Sequence, residues 1–183
     1  MRLFAAVQLP PDVVAHLDAA VAPNRDEVLR WTTADSWHLT LAFYGEVPDV
    51  RVPGLKTRLT RAAHRYSVIN LALNGVGRFS DRALWVGVTG DLVTLRALAR
   101  SAAAAGRRAG AAAEESRRFR AHVTLARAPR PVDLRPYVAA LTGYRGPAWT
   151  AFDISLIRSR LGAGVGHRPK YELQSTHPLA ATP

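Results

Sequence analysis

The sequence predicts an α+β fold: a duplicated unit of two lobes, with antiparallel sheets, helices on the outer faces and a central cleft. Three observations carry that expectation. First, one short pattern occurs twice, as Trp37-His38-Leu39-Thr40-Leu41-Ala42 and as Ala121-His122-Val123-Thr124-Leu125-Ala126. Each reads His, apolar, Thr, apolar, the alternation of a half-buried strand. Second, the order of predicted elements is strand, helix, His strand, helix, two strands, and this order then continues with helix, His strand, helix, two strands. Third, 183 residues with 48% hydrophobic content suit one domain spanning 1–183, or two small lobes sharing a core.

The elements follow from period and punctuation. Arg2–Leu9 is a strand stopped by Pro10-Pro11, and Pro11-Asp12 opens a helix that carries Val13, Val14, Leu17 and Val21 on one face. Residues 23–36 are polar and loop-like around Arg30-Trp31, and the first His strand runs from Trp37 to about Tyr44, closed by Gly45. Leu55, Leu59, Ala62 and Ala63 mark a second helix. Val68–Leu73 and Leu84–Val88 read as strands separated by Asn74-Gly75-Val76-Gly77-Arg78-Phe79. Asp91 caps a third helix with Leu92, Leu95, Leu98 and Ala99 inward, ended by Gly106 and Gly110. The second His strand covers Phe119–Arg127, residues 132–141 form a short helix, and residues 148–158 and 170–173 are closing strands around the turn Gly162–Gly166.

Composition excludes several classes. There is no cysteine, so disulfides, thiolate catalysis and Cys-based zinc sites are absent. No apolar run of about 18 residues suggests a membrane helix, and the apolar stretch at the N-terminus is too short for a secretory signal. A cytoplasmic location is expected. The chain has no Gly-x-Ser-x-Gly, no His-Glu-x-x-His and no carboxylate cluster of metal-ligand type, so neither metal nor cofactor is expected. The net charge of +11 is uneven: residues 1–91 hold 10 Lys+Arg against 9 Asp+Glu, and residues 92–183 hold 15 against 5. Such a surface suits a polyanion, most simply nucleic acid.

Within each motif, His and Thr stand two residues apart on one strand face, about 6.6 Å along the chain. Two lobes packed face to face would bring one imidazole and one hydroxyl from each into a shared cleft. Either histidine is chemically able to act as acid or base near neutral pH.

With their surroundings, Arg30-Trp31, Trp37-His38-Leu39-Thr40-Leu41, Phe43-Tyr44-Gly45 and Phe119-Arg120-Ala121-His122-Val123-Thr124-Leu125-Ala126-Arg127, the motifs resemble the 2H phosphoesterase superfamily. Within it they are most similar to the RNA 2′,3′-cyclic phosphodiesterases. Supportive matches are Arg2-Leu3-Phe4, Gly75-Val76-Gly77-Arg78-Phe79, and Ser159-Arg160-Leu161 with Tyr171; Ala121 departs from the Pro often found there.

The resemblance implies an enzyme that opens 2′,3′-cyclic phosphate ends of RNA to 2′-phosphates; tRNA fragments are expected among its substrates, and a monomer is expected. It implies His38 as proton donor, His122 as proton acceptor, and Thr40 and Thr124 as donors to the phosphoryl oxygens. Phe43 and Arg127 are expected at the terminal base, with Tyr44 and Arg120 as further substrate contacts and Arg117, Arg118 and Arg130 along the RNA backbone. Joining RNA ends through a 2′-5′ linkage is the reverse reaction. A phosphodiesterase for small cyclic nucleotides and a non-catalytic RNA- or nucleotide-binding module are the alternatives.

Overall fold

The computed structural model describes residues 1–111, 119–164 and 168–181. In chain order it contains β1 (Arg2–Gln8), α1 (Pro11–Val21), β2 (Arg30–Trp31), β3 (His38–Glu46), α2 (Val52–Ala63), β4 (Ile69–Phe79) and β5 (Ala83–Gly90). There follow α3 (Leu92–Arg108), β6 (His122–Arg127), α4 (Arg135–Ala140), β7 (Arg145–Ala151), β8 (Asp153–Arg160) and β9 (Lys170–Pro178). The strands form two sheets, ordered β3-β1-β8-β9 and β2-β6-β5-β4-β7. Among the described residues, neighbouring strands within each sheet pair antiparallel. Each sheet holds one His strand.

The helices bury the apolar stripes read from the sequence. In α1 these are Val13, Leu17 and Val21; in α2, Leu55, Leu59, Ala62 and Ala63; in α3, Leu95, Leu98, Ala99 and Ala102. Gly106 stays within α3 because its bare Cα faces the Tyr44 ring, which a methyl there would overlap. Gly110 supplies the left-handed residue just beyond the helix, at φ +72°. Strand β1 is buried on both faces: Leu3, Ala5 and Val7 join the main core, while Phe4 and Ala6 form a second small cluster with Ile157.

Three features differ from expectation. Residues 148–158 are two strands, β7 and β8, separated at Phe152, and they belong to different sheets. An unbroken apolar run carries no mark of a change of sheet, so the return of the chain to β1 is invisible locally. The lobes therefore interleave: β8 and β9 join β1 and β3, while β4 to β7 complete the other sheet. Next, Asn74–Phe79 is no separator but the second part of β4, which passes a register shift between Leu73 and Val76 with Gly75 at φ +70°. Finally, Arg30–Trp31 leaves the expected loop to pair with β6 at the edge of the second sheet. The predicted glycine turn falls partly on residues 165 and 166, outside the described residues.

Candidate active site

His38 begins β3 and His122 begins β6. Their settings repeat one another. His38 Nδ1 lies 2.8 Å from the Ser36 carbonyl, and His122 Nδ1 lies 2.7 Å from the Arg120 carbonyl, in both cases two residues back. A carbonyl only accepts, so each Nδ1 carries the proton and donates it, and each Nε2 is left as the reactive nitrogen. Aromatic rings fix the imidazole planes. His38 stands at 4.7 Å from Phe4 and edge-on to Tyr171 at 5.1 Å; His122 stands edge-on to Phe79 at 4.9 Å and to Trp85 at 6.3 Å.

Burial sets the charge of both rings. It pushes His38 down to about 4, against the Ser36 carbonyl, which favours the cation, and with a smaller lowering from His122. That last effect couples the two motifs across the lobes. His122 is likewise lowered, first by burial and then by the Arg127 and Arg120 guanidiniums, against its bond to the Arg120 carbonyl. Burial thus favours the uncharged form of both imidazoles.

The burial patterns of the two strands match residue for residue: half-buried His and Thr, buried residues between and after them, then an exposed residue. Thr40 lies opposite Ala6 and Thr124 opposite Trp85. Among the described residues neither threonine hydroxyl has a hydrogen-bond partner, so both are available to a ligand.

Past each threonine the ladder slips by one residue. Ala6 pairs with Thr40 but Ala5 with Ala42; Trp85 pairs with Thr124 but Leu84 with Ala126. The slip reverses the alternation, so Phe43 and Arg127, five residues beyond each histidine, come out on the exposed side. Phe43 is 45% exposed and its ring lies 5.7 Å from Phe4, the ring that also supports His38. Arg127 acts electrostatically on His122 and on Tyr171, which belongs to the other sheet.

The same slip corrects the expectation for Tyr44. Its side chain is fully buried, donates 3.1 Å to the Ala102 carbonyl of α3, and serves the core instead of a substrate. Arg120 reaches the site by a route no periodicity predicts: its guanidinium stacks 4.4 Å from the Trp85 ring and 5.9 Å from Phe79. Arg117 and Arg118 lie outside the described residues. Phe4, Phe79, Trp85 and Tyr171, the walls around the imidazoles, were missed as site residues. The signal for three of them was faint: the Gly-x-Gly-Arg-Phe run for Phe79, the opening Arg-Leu-Phe for Phe4, and the late tyrosine.

Among the described residues no group of three or more His, Asp and Glu stands close enough to hold a metal ion, and no helix is long and apolar enough to cross a membrane.

Fold and site together define a two-lobed α+β protein with one His-x-Thr strand from each sheet. The chain belongs to the 2′-5′ RNA ligase superfamily, whose family model matches residues 4–163. It is 31% identical over 166 residues to an RNA 2′,3′-cyclic phosphodiesterase of Escherichia coli K12, covering 87% of this chain and 90% of that one. It is also 31% identical over 163 residues to a protein of that name from Geobacillus stearothermophilus, covering 84% of this chain but only 48% of the relative, so the chain spans about half that protein's length. Among solved structures, E. coli LigT in its apo form superposes with a TM-score of 0.80 at 25% identity, covering 98% of this chain and 97% of that one. LigT complexed with 3′-AMP gives 0.76 at 26%, covering 97% and 96%.

Proposed function

We propose that this chain is an RNA 2′,3′-cyclic phosphodiesterase that hydrolyses a terminal cyclic phosphate to a 2′-phosphomonoester by acid–base catalysis with His38 and His122. The observation that carries the reading is the repeated geometry of the two imidazoles. Each comes from a different sheet, donates through Nδ1 to a backbone carbonyl and keeps Nε2 for chemistry.

In the proposed reaction His122 takes a proton from water as its oxygen attacks phosphorus. The P–O3′ bond breaks, and protonated His38 returns a proton to O3′. The Thr40 and Thr124 hydroxyls donate to the nonbridging oxygens, whose charge must be held while the bonds exchange. The anionic phosphate itself favours the cationic form of one imidazole, offsetting the burial that disfavours the His38 cation. Phe43, exposed at the cleft, grips the terminal base by stacking, with Arg127 exposed at the matching position of β6. Arg120, anchored on Trp85, adds positive charge beside His122.

The same groups can join ends. A 5′-hydroxyl in place of water would attack phosphorus while the P–O3′ bond breaks and O3′ takes its proton as before, leaving a 2′-5′ linkage, and the name of the superfamily favours this second reading. We further read the protein as a cytoplasmic monomer with tRNA fragments among its substrates.

The test is turnover, in EDTA, of an RNA oligonucleotide ending in 2′,3′-cyclic phosphate. Native protein should form the 2′-phosphate, and His38→Ala and His122→Ala should each lose about 10²–10⁴ in kcat. Native protein that binds this RNA and leaves it intact would establish a binding module instead. Selective turnover of cyclic mononucleotides would establish a small-molecule enzyme.

A further inference from the structure

We infer that Arg30 and Arg127 form a second phosphate subsite at the cleft rim, a clamp for a phosphodiester of the RNA chain lying 5′ to the reacting end. The inference rests on the reading of the cleft as an RNA-end site and names a residue outside its chemistry.

Arg30 of β2 is the direct cross-strand partner of Arg127 of β6. Directly opposed residues of antiparallel strands share a face with Cβ atoms about 4.5–5.5 Å apart, and like charges so placed are destabilising. Both side chains are exposed, and among the described residues neither has a carboxylate partner. Ion pairs elsewhere engage Arg25, Arg78, Arg135 and Arg160. The protein thus aligns two cations and leaves them uncompensated.

The alignment is built with care for so short a strand. Trp31 is buried, packs edge-on to Tyr137 at 6.0 Å, and pairs with Ala126. Tyr137 donates to Asp26, whose other carboxylate oxygen accepts from the Val28 and Leu29 amides, closing the turn that leads into β2. The Thr32 amide then donates 2.8 Å to the Leu125 carbonyl. These contacts hold the backbone of Arg30 in place, while its charge has no carboxylate partner among the described residues. A polyanion is the ligand that turns this repulsion into binding.

Position decides which phosphate. Five residues separate Arg127 from His122, less one at the register slip, which is about 13 Å along β6. The reacting phosphate must touch both histidines, so the arginine pair sits past it, beyond the terminal nucleoside. Arg127 acts on the cleft through its field on His122 and Tyr171, whereas Arg30 stands one strand further out, at the sheet edge. A mononucleotide that ends at its cyclic phosphate has nothing to offer Arg30; a polynucleotide does.

The experiment compares a nucleoside 2′,3′-cyclic phosphate with a cyclic-ended oligonucleotide on native protein, Arg30→Gln and Arg30→Lys. Arg30→Gln should raise KM for the oligonucleotide roughly tenfold with kcat unchanged, and leave both constants for the mononucleotide within about twofold. Arg30→Lys should recover much of the loss. Affinity for an uncleavable oligonucleotide ending in 3′-phosphate should fall in Arg30→Gln, with the slope of log affinity against log salt reduced by about one. Equal changes for both substrates, or none for the oligonucleotide in KM and salt slope alike, overturn the clamp. Native protein that turns over neither substrate removes the catalytic reading alone, since the uncleavable RNA still reads the subsite.

Discussion

Leu125 stands in β6 where Leu41 stands in β3: each is the extra residue of a register slip three places after a motif histidine. The slip keeps His and Thr on one side of the strand and then restores that side to the residue five beyond the histidine. The slips at Leu41 and Leu125 therefore bring Phe43 and Arg127 out to solvent, and Tyr44, next after Phe43, meets the core. Neighbours in sequence acquire opposite duties, and substitution should separate them.

Phe43→Ala removes an exposed ring and should raise KM for a cyclic-ended substrate by about 5–150-fold, the worth of one base stack, with thermal stability unchanged. Tyr44→Phe should do the reverse. Loss of its bond to the Ala102 carbonyl costs about 1 kcal/mol in denaturant unfolding while KM and kcat stay at native values. A Tyr44→Phe variant with impaired substrate binding would return Tyr44 to the site.

The pH profile follows from both histidines being lowered by burial. Productive free enzyme needs one protonated and one neutral imidazole. The kcat/KM profile should be a bell whose two limbs both lie below the ordinary histidine value of about 6.5. The kcat profile should shift to higher pH, because a bound phosphate anion favours the cation. Stopped assays from pH 4 to 8 check this; a kcat/KM optimum above pH 7 would mean that the imidazoles are not desolvated as described.

Gly77 lies opposite Trp85, and a methyl there would overlap its six-membered ring. Trp85 in turn supports Thr124, His122 and the Arg120 guanidinium. Gly77→Ala should displace the indole, change tryptophan fluorescence, and lower kcat more than it raises KM. Gly54→Ala, where a methyl meets nothing within 4 Å, is the control expected to leave kcat unchanged.

Acid stability depends on a third histidine. His177 in β9 is buried, with Nδ1 2.8 Å from Thr60 Oγ1 of α2 and Nε2 2.9 Å from Ser175 Oγ. Burial, then Lys56, lowers its pKa. For a histidine lowered on folding, the unfolded chain binds more protons below about pH 6.5, so stability is whole above that value and is lost as pH falls toward the folded pKa. His38, His122 and His177 should together make urea unfolding easier from pH 6.5 down toward 4. His177→Phe should flatten part of that loss, while costing about 1–3 kcal/mol at neutral pH by leaving Thr60 and Ser175 without their partner.

What the sequence by itself determined is local. Alternation at period two placed His38 with Thr40 and His122 with Thr124, apolar spacing at period 3.6 placed the buried faces of α1, α2 and α3, and the doubled motif told which residues carry the chemistry. These depend only on how a strand or helix orients its own neighbours. The tertiary structure decided everything that needs a partner strand: that β7 and β8 part at Phe152 into different sheets, that Leu41 and Leu125 are skipped so Phe43 faces out and Tyr44 in, and that Trp85 and Tyr171 wall the two imidazoles. It also set Arg30 against Arg127 and pushed His38 down to about 4. Register and burial are properties of two segments brought together across the chain, and no window on one of them contains the other.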